Sequence, residues 1–347
     1  MNPKVYILVL NWNGWRDTIE CLESVFRLNY DNYQVIVCDN QSQDNSFQQI
    51  MNWANGLNEV NIQKSDPMYA FSYPPVSKPI SYVTYDRSSA ESGGNLNHSD
   101  STDKPPLILI QTGDNLGFAG GNNVGLRYIM TQADSQYVWL LNNDTVVEKN
   151  SLLNMVSYSS RKPFKNICGS KLIFYEDPQY VQAYAGAKYN KWTGNAKSLG
   201  MLNNTSQPVD VSKIENELSY IMGASWLLPV SFLHEIGLME DAYFLYYEEI
   251  DWCIRGQESY QLCYADNAIV YHKEGKSIGS SSDKTKTSLF SDFYLFKNKL
   301  VFTKKFYPKA LIPVYFTTFL QALNRVRRNQ LDKAKLIIQI LFGKRQY

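Results

Sequence analysis

Four groups of polar residues stand where apolar runs stop, and their types are those that bind cations or move protons. Residues 140–147 read Leu-Leu-Asn-Asn-Asp-Thr-Val-Val, directly after Tyr137-Val138-Trp139. A continuous apolar run marks a strand buried on both faces, and ligands gather beyond the carboxyl ends of such strands. Asn142, Asn143 and Asp144 are therefore expected to project from a strand end into a crevice. There a carboxylate and a carboxamide two residues apart offer oxygens to one hard cation, Mg2+ or Mn2+. The same stretch also reads as a strand and an Asx-turn, with Asp144 capping a helix that starts near Lys149. Asp39 follows a second apolar run, residues 34–38, and His272 ends a third, residues 268–272. The fourth group is Glu248, Glu249 and Asp251, with Arg255, in an aromatic setting. Crowded carboxylates and apolar walls raise one carboxyl toward general-base strength. The plain alternative is an acid-rich first helical turn that complements the helix dipole.

These groups need a scaffold, and the chain supplies the pattern of one. Residues 5–10 read as a buried strand, residues 17–28 carry helical spacing, residues 34–38 read as a second strand, and Asp44-Asn45-Ser46 precedes a second helix. Strand, helix, strand, helix predicts a mostly parallel sheet with right-handed crossovers. Residues 65–106 break the pattern with Ser, Pro, Asn and Asp, and read as an inserted loop. The insertion is expected to hold a short strand at 80–85, a disordered part at 88–104 and a solvated His98. The sheet resumes at 107–110 and is followed by Gly117, Gly120 and Gly121, which do not have dinucleotide-binding spacing. A tight turn leading into a helix that faces an anion remains open. Farther on, residues 168–175 and 221–228 read as strands, 184–200 as a hairpin and 232–236 as a short helix ended by Gly237.

The 347 residues suffice for one large α/β domain or two smaller ones, and a formal charge of +1 argues against a polyanion binder such as a nucleic-acid protein. Five scattered cysteines without a Cys-x-x-Cys pair suggest neither a disulfide framework nor a zinc ribbon, and fit a cytoplasmic setting. We read no signal peptide and no spanning helix. Residues 310–324 carry no charge and are followed by Arg325, Arg327 and Arg328, then by a second amphipathic run at 331–342. The tail from residue 291 is thus expected to be helical, either docking on an anionic membrane surface or packing on the sheet. The division expected is a domain over residues 1–290 and a tail over 291–347.

Taken in order, the motifs resemble the family 2 glycosyltransferases of the GT-A fold, and among them the bacterial rhamnosyltransferase-type members. They are Leu10-Asn11-Trp12-Asn13-Gly14, Cys38-Asp39-Asn40-Gln41-Ser42, Asn115-Leu116-Gly117-Phe118-Ala119-Gly120-Gly121-Asn122-Asn123, Leu141-Asn142-Asn143-Asp144, Tyr246-Tyr247-Glu248-Glu249-Ile250-Asp251-Trp252, and Tyr271-His272-Lys273 through Ser277. The resemblance implies an α/β GT-A sheet with a nucleotide-binding half and an acceptor half. It implies that Asn11, Asn13, Asp39, Asn115, Gly117, Asn123, Asn142 and Asn143 border a nucleotide diphosphate sugar, with Asp39 on the base or ribose. It implies that Asp144 and His272 bind a divalent metal, Mg2+ or Mn2+. Glu249 aligns with the family's base, usually Asp, and Asn142 replaces the first Asp of the usual Asp-x-Asp.

The activity implied is inverting, metal-dependent sugar transfer in cell-surface polysaccharide synthesis. The donor is a dTDP- or UDP-sugar, with rhamnose as the family-weighted sugar, and the acceptor a glycan or lipid-linked hydroxyl. The protein would be cytoplasmic or peripheral on the inner face of the membrane. The alternatives are a sugar-phosphate nucleotidyltransferase, or a sugar-nucleotide binder without catalysis, which the departures at Asn142 and Glu249 would suit.

Overall fold

Alternate residues of the first strands bury on opposite faces of one sheet. Val5, Ile7 and Val9 join one apolar core with Val35, Val37, Leu107, Leu109, Trp139 and Leu141. Tyr6 and Leu8 join the other with Ile36, Cys38, Ile108, Ile110, Val138 and Leu140. Both faces are covered by helices, which is why these strands are written as unbroken apolar runs. A computed structural model describes residues 2–58, 60, 62–94, 105–274, 287–344 and 346–347. His98, most of the expected disordered stretch and the motif beyond Glu274 lie outside the described residues.

The first half runs β1 (Val5–Asn11), α1 (Trp15–Val25), β2 (Tyr33–Asp39), α2 (Ser46–Ala54), α3 (Tyr69–Ser72), β3 (Tyr82–Asp86), α4 (Arg87–Glu91), β4 (Leu107–Gln111), α5 (Gly117–Met130) and β5 (Tyr137–Asn142). Next come β6 (Thr145–Val147), α6 (Ser151–Ser160), β7 (Asn166–Phe174), β8 (Val181–Tyr184), β9 (Gly186–Asn190), β10 (Asn195–Ser198) and α7 (Val211–Glu217). The rest is β11 (Tyr220–Ile221), β12 (Ser225–Pro229), α8 (Val230–Ile236), α9 (Glu248–Gly256), β13 (Gln261–His272), α10 (Leu289–Phe306), α11 (Leu311–Arg327) and α12 (Leu331–Leu341). The main sheet has the order β3-β4-β2-β1-β5-β12-β7-β13-β6, with β8 paired to β7, and a small sheet has the order β10-β9-β11.

The sheet is mixed. Strands β1 to β5 are parallel where they pair, but β12 is antiparallel to β5 and β7, and β6 is antiparallel to β13. The apolar run at 221–228 is two strands rather than one. β11 pairs in the small sheet and β12 in the large one, with Gly223 at the break. Asp144 does not cap a helix: α6 starts at Ser151, and residues 145–147 form β6.

The insertion is more ordered than its composition suggests. Its strand β3 adds in parallel to the edge of β4. Buried Glu23 on α1 anchors the segment, accepting from Val76 N at 2.7 Å, Lys78 Nζ at 2.8 Å and Trp53 Nε1 at 2.8 Å. Buried polar groups are tolerated when paired in this way.

The tail folds as α10, α11 and α12. Buried Asp292 on α10 joins them through Arg325 at 3.3 Å and Lys333 at 3.9 Å. Pro313 sits in the first turn of α11, where its missing N–H costs nothing. Among the described residues no helix is long and apolar enough to cross a membrane.

Candidate active site

Parallel register delivers the polar residues to one edge of the sheet. Asn11 ends β1 beside Asp39 at the end of β2, and Leu10 lies beside Asn142 at the end of β5. Asp39 is fully buried; its Oδ1 accepts from Asn11 Nδ2 at 2.7 Å and its Oδ2 from Ser42 N at 3.1 Å. Asn13 is exposed, and its Oδ1 accepts from Gln43 N at 2.7 Å. Asn143 turns toward α1, donating to Thr18 Oγ1 at 3.0 Å and Asn11 Oδ1 at 3.4 Å.

A cleft of about 110 Å³ opens over these strand ends, with Trp12, Asn40, Asn115, Gly117, Asn142 and Asp144 on its walls. Asn40 braces it, donating to Asn115 Oδ1 at 3.0 Å and Gly117 O at 3.1 Å. Gly117 itself has φ 70°, and a Cβ there would lie 2.3 Å from the Phe244 carbonyl oxygen. The first N–H groups of α5 are already used, Gly117 N by Asn115 Oδ1 and Phe118 N by Phe244 O. The turn therefore shapes the cleft rather than leaving those two donors for an anion. The later glycines serve packing: a Cβ on Gly121 would lie 2.6 Å from Leu10, and on Gly125 2.4 Å from Leu8. Asn123 does not reach the cleft. It is 2% exposed, and its carboxamide pairs in both directions with the Met239 backbone at 3.0 and 3.1 Å.

His272, at the end of β13, lies opposite Thr145 of β6, which brings its ring to Asp144. Nε2 stands 3.2 Å from Asp144 Oδ1 and 3.4 Å from the Asn142 amide nitrogen. Nδ1 lies 3.0 Å from Gln182 Oε1 on β8, which accepts its proton and turns Nε2 toward Asp144. Burial opposes protonation of the ring, yet the Asp144 carboxylate holds it above the usual imidazole range. Among the described residues no three His, Cys, Asp or Glu side chains converge. Asp144 and His272, with the Asn142 carboxamide adjoining, are an oxygen and nitrogen donor set that suits Mn2+ or Mg2+ when a ligand supplies further oxygens.

The three acids of α9 separate as helix geometry requires. Asp251 is fully buried and accepts from Arg255 Nε at 2.7 Å, Lys305 Nζ at 2.7 Å and Tyr243 OH at 3.0 Å. It is a paired carboxylate that lines neither cavity. Glu248 is 3% exposed and its Oε2 has no hydrogen-bond partner. Burial, with Glu249 adding repulsion, pushes its carboxyl up to about 8. Glu249 alone of the three lines a cavity, one of about 370 Å³ beneath α10 and α11. Burial raises it to about 7, against the Gly223 N–H bond and nearby His272, which lower it. Trp252 is core, edge-on to Trp226 at 5.3 Å, whereas Tyr247 lines the cavity and donates to Gly194 O.

Three supporting residues had no local signal. Gln182 orients His272, Gly223 N donates to Glu249, and Asn298 on α10 clamps the turn before α9. Asn298 Nδ2 donates to the carbonyls of Tyr243 at 2.8 Å, Leu245 at 2.7 Å and Tyr246 at 3.2 Å. That turn needs a clamp, because Phe244, Tyr246 and Tyr247 have φ of 65°, 63° and 76°. Left-handed aromatic residues are strained and persist only where their surroundings impose them. A larger open groove of about 1310 Å³ behind α9 carries none of the site residues.

Residues 85–231 match the family model described as Glycosyl transferase family 2. The matched span holds the cleft residues from Asn115 to Asp144, while Asp39, Glu249 and His272 fall outside it. The chain is 22% identical over 249 residues to the low-salt glycan biosynthesis hexosyltransferase Agl10 of Haloferax volcanii, covering 71% of this chain and 74% of that one. It is 25% identical over 145 residues to the rhamnosyltransferase WbbL of Escherichia coli K12, covering 40% of this chain and 53% of that one. Among solved structures, it resembles the mannosyltransferase PcManGT from Pyrobaculum calidifontis in complex with GDP-Man and Mn2+. The TM-score is 0.52 at 12% identity, covering 100% of this chain and 77% of that one. It also resembles GalNAc-T7 with UDP, GalNAc and Mn2+, with a TM-score of 0.55 at 13% identity over 92% of this chain and 51% of that one.

The fold is therefore GT-A. The protein is a glycosyltransferase that resembles the family 2 enzymes of rhamnosyltransferase type.

Proposed function

We propose that the protein is an inverting, metal-dependent transferase that moves a hexosyl group from a nucleotide diphosphate sugar to an acceptor hydroxyl in cell-surface polysaccharide synthesis. The observation that carries this reading is the pairing of Asp144 and His272 at the strand ends, with Asp144 in the wall of the cleft braced by Asn40. Two solved relatives of the same fold are described with a nucleotide or nucleotide sugar and Mn2+. Asn11, Asn13, Asp39, Asn115, Gly117 and Asn143 border the donor, with Asp39 nearest the base or ribose. A divalent ion held by Asp144, His272 and the donor's diphosphate would neutralise the leaving group.

Glu249 takes the proton of the acceptor hydroxyl as the oxygen attacks the anomeric carbon. Its raised pKa keeps it a useful base near neutrality. Glu248, buried beside it, has its own carboxyl raised by burial and by the neighbouring Glu249, and is not assigned to the substrate. Inversion is proposed on the family resemblance.

Donor and acceptor are assigned as classes: a dTDP- or UDP-sugar, with dTDP-rhamnose tested first, and a glycan or lipid-linked hydroxyl. A lipid-linked acceptor suits the tail. The inner face of α11 buries Val314, Thr318, Ala322 and Arg325. Its outer face exposes Ile312, Phe316, Phe319, Leu320, Leu323 and Val326. Between Lys304 and Lys344 the one acidic residue is Asp332, against nine Lys and Arg. An apolar helix face with a basic surround fits an anionic cytoplasmic leaflet.

The test is release of nucleoside diphosphate from a donor panel with Mn2+. Turnover of one donor, with the product anomer inverted by NMR, is expected. If no donor is turned over and none raises the melting temperature, the reading fails.

A further inference from the structure

Gln182 reaches His272 through an irregularity in the sheet. In the antiparallel pairing of β8 with β7, Leu172 lies opposite Ala183 and Ile173 opposite Val181, so Gln182 is the extra residue of a β-bulge. The bulge changes the face that the strand presents. Val181 joins one core and Ala183, two residues on, joins the other, whereas a regular strand keeps such residues on one face. Bulges beside active sites re-aim a side chain. Here the re-aimed side chain is Gln182, 6% exposed, with Oε1 3.0 Å from His272 Nδ1.

A carboxamide does not choose its own direction. Gln182 could offer an oxygen acceptor or an N–H donor to Nδ1, and a neutral imidazole can answer either. Glu274 makes the choice. Its Oε1 lies 3.0 Å from Gln182 Nε2, and a carboxylate only accepts. The N–H end of Gln182 must therefore face Glu274, which leaves Oε1 for Nδ1. The ring proton is then held on Nδ1, and the Nε2 lone pair points toward Asp144 at 3.2 Å. With the carboxamide reversed, Gln182 would donate to Nδ1 and the ring proton would sit on Nε2, spending the lone pair that a cation needs.

The backbone supports the arrangement. Glu274 leaves β13 with φ 63°, a region non-glycine residues seldom adopt and one that clusters at functional sites. Its neighbour Lys273 is tied to α1, to Asp17 at 2.6 Å and to Glu20. The exit of β13 is thus held at two points directly after His272.

We propose that Glu274 is a positioning residue for metal binding: through Gln182 it fixes the His272 tautomer whose Nε2 can ligate. The assignment rests on the reading of Asp144 and His272 as metal ligands and deepens it. Partners one step behind a metal ligand orient it and raise its affinity, and in this chain that support runs two side chains deep, from β8 to the residue that follows Lys273.

The test uses the full chain with Mn2+ and dTDP. Affinity is read by calorimetry, and ligation by the nitrogen coupling to bound Mn2+ in electron spin-echo spectra, with His272→Ala as the blank. Glu274→Leu is expected to bind Mn2+ about tenfold more weakly and to lose most of the nitrogen coupling. Glu274→Gln, whose side-chain oxygen still accepts from Gln182 Nε2, should restore most of both. A merely structural role would lower the melting temperature of Glu274→Leu and leave the coupling intact; that result, or unchanged affinity, overturns the proposal. Coupling present in the parent, absent in His272→Ala and intact in Glu274→Leu leaves the metal reading standing and removes Glu274 from it. No coupling in the parent at saturating Mn2+ removes His272 as a ligand, and the proposal with it.

Discussion

Gly223 and Glu249 are joined by a hydrogen bond from the Gly223 backbone N–H to Glu249 Oε1 at 2.5 Å. A Cβ built on Gly223 would lie 2.2 Å from that same oxygen. The break between β11 and β12 thus holds the carboxyl in place and leaves no room for a side chain.

Gly223→Ala is expected to push the Glu249 carboxyl out of position. A displaced catalytic group costs about 100-fold in rate. We expect a loss of that order in kcat, with donor affinity kept, because the donor cleft lies on other residues. Turnover and donor titration of the same preparation check it; an unchanged kcat would exclude a positioning role for Gly223.

Glu249→Gln keeps shape and removes the proton acceptor. It should lower transfer by orders of magnitude while donor still binds. Glu248→Gln should cost far less. Asp251→Asn should act on stability, because Arg255 and Lys305 would lose their charged partner in a buried site. Rates and melting temperatures of the three variants separate the roles, and a dead but fully stable Asp251→Asn would move the base.

Activity and stability should respond to pH in opposite directions. The base works deprotonated, so kcat/KM should rise as pH climbs through about 7. Burial raises both Glu248 and Glu249 above the ordinary carboxyl range, to about 8 and about 7. Between that range and pH 8 the folded state binds more protons than the unfolded state, so this contribution to stability is present in acid and lost as pH rises. Glu248→Gln should flatten the fall in melting temperature from pH 5 to 8. A fall of the same steepness would show that Glu248 is not its source.

Asp144→Ala is expected to abolish transfer, and His272→Ala to weaken it strongly. Gln182→Leu, which leaves His272 Nδ1 without its acceptor, should cost about 10- to 100-fold in metal affinity. Full activity in excess chelator would remove the metal from the mechanism.

Replacing Phe316, Phe319 and Leu323 by Ser should abolish partition onto anionic vesicles and leave transfer to a soluble acceptor unchanged. These side chains are 61%, 43% and 45% exposed, so the fold should survive. Equal partition of the parent and variant proteins in a flotation assay would rule out docking by this face.

The core strands, the polar residues at their ends and the helix carrying the three acids follow from the sequence by itself. Unbroken apolar runs specify strands covered on both faces, and a 3.6-residue period separates Glu249 from Glu248 and Asp251. The sequence leaves Arg255 a choice of Glu248 or Asp251, and the structure pairs it with Asp251 at i,i+4 spacing. Local pattern fails where a residue's partner is chosen by packing across the sheet. Asn123 stands in a glycine-rich motif, yet α5 turns its carboxamide onto the Met239 backbone. Residues 221–228 form one apolar run, but the two halves pair in different sheets. His272 meets Asp144 because β13 lies antiparallel to β6, and that register leaves no trace in the periodicity of either strand. Lys299, Arg325 and Arg328 line the Glu249 cavity because α10 and α11 fold back over it. Long-range pairings depend on which surfaces bury together, so tertiary structure decided where a legible set of side chains became a site.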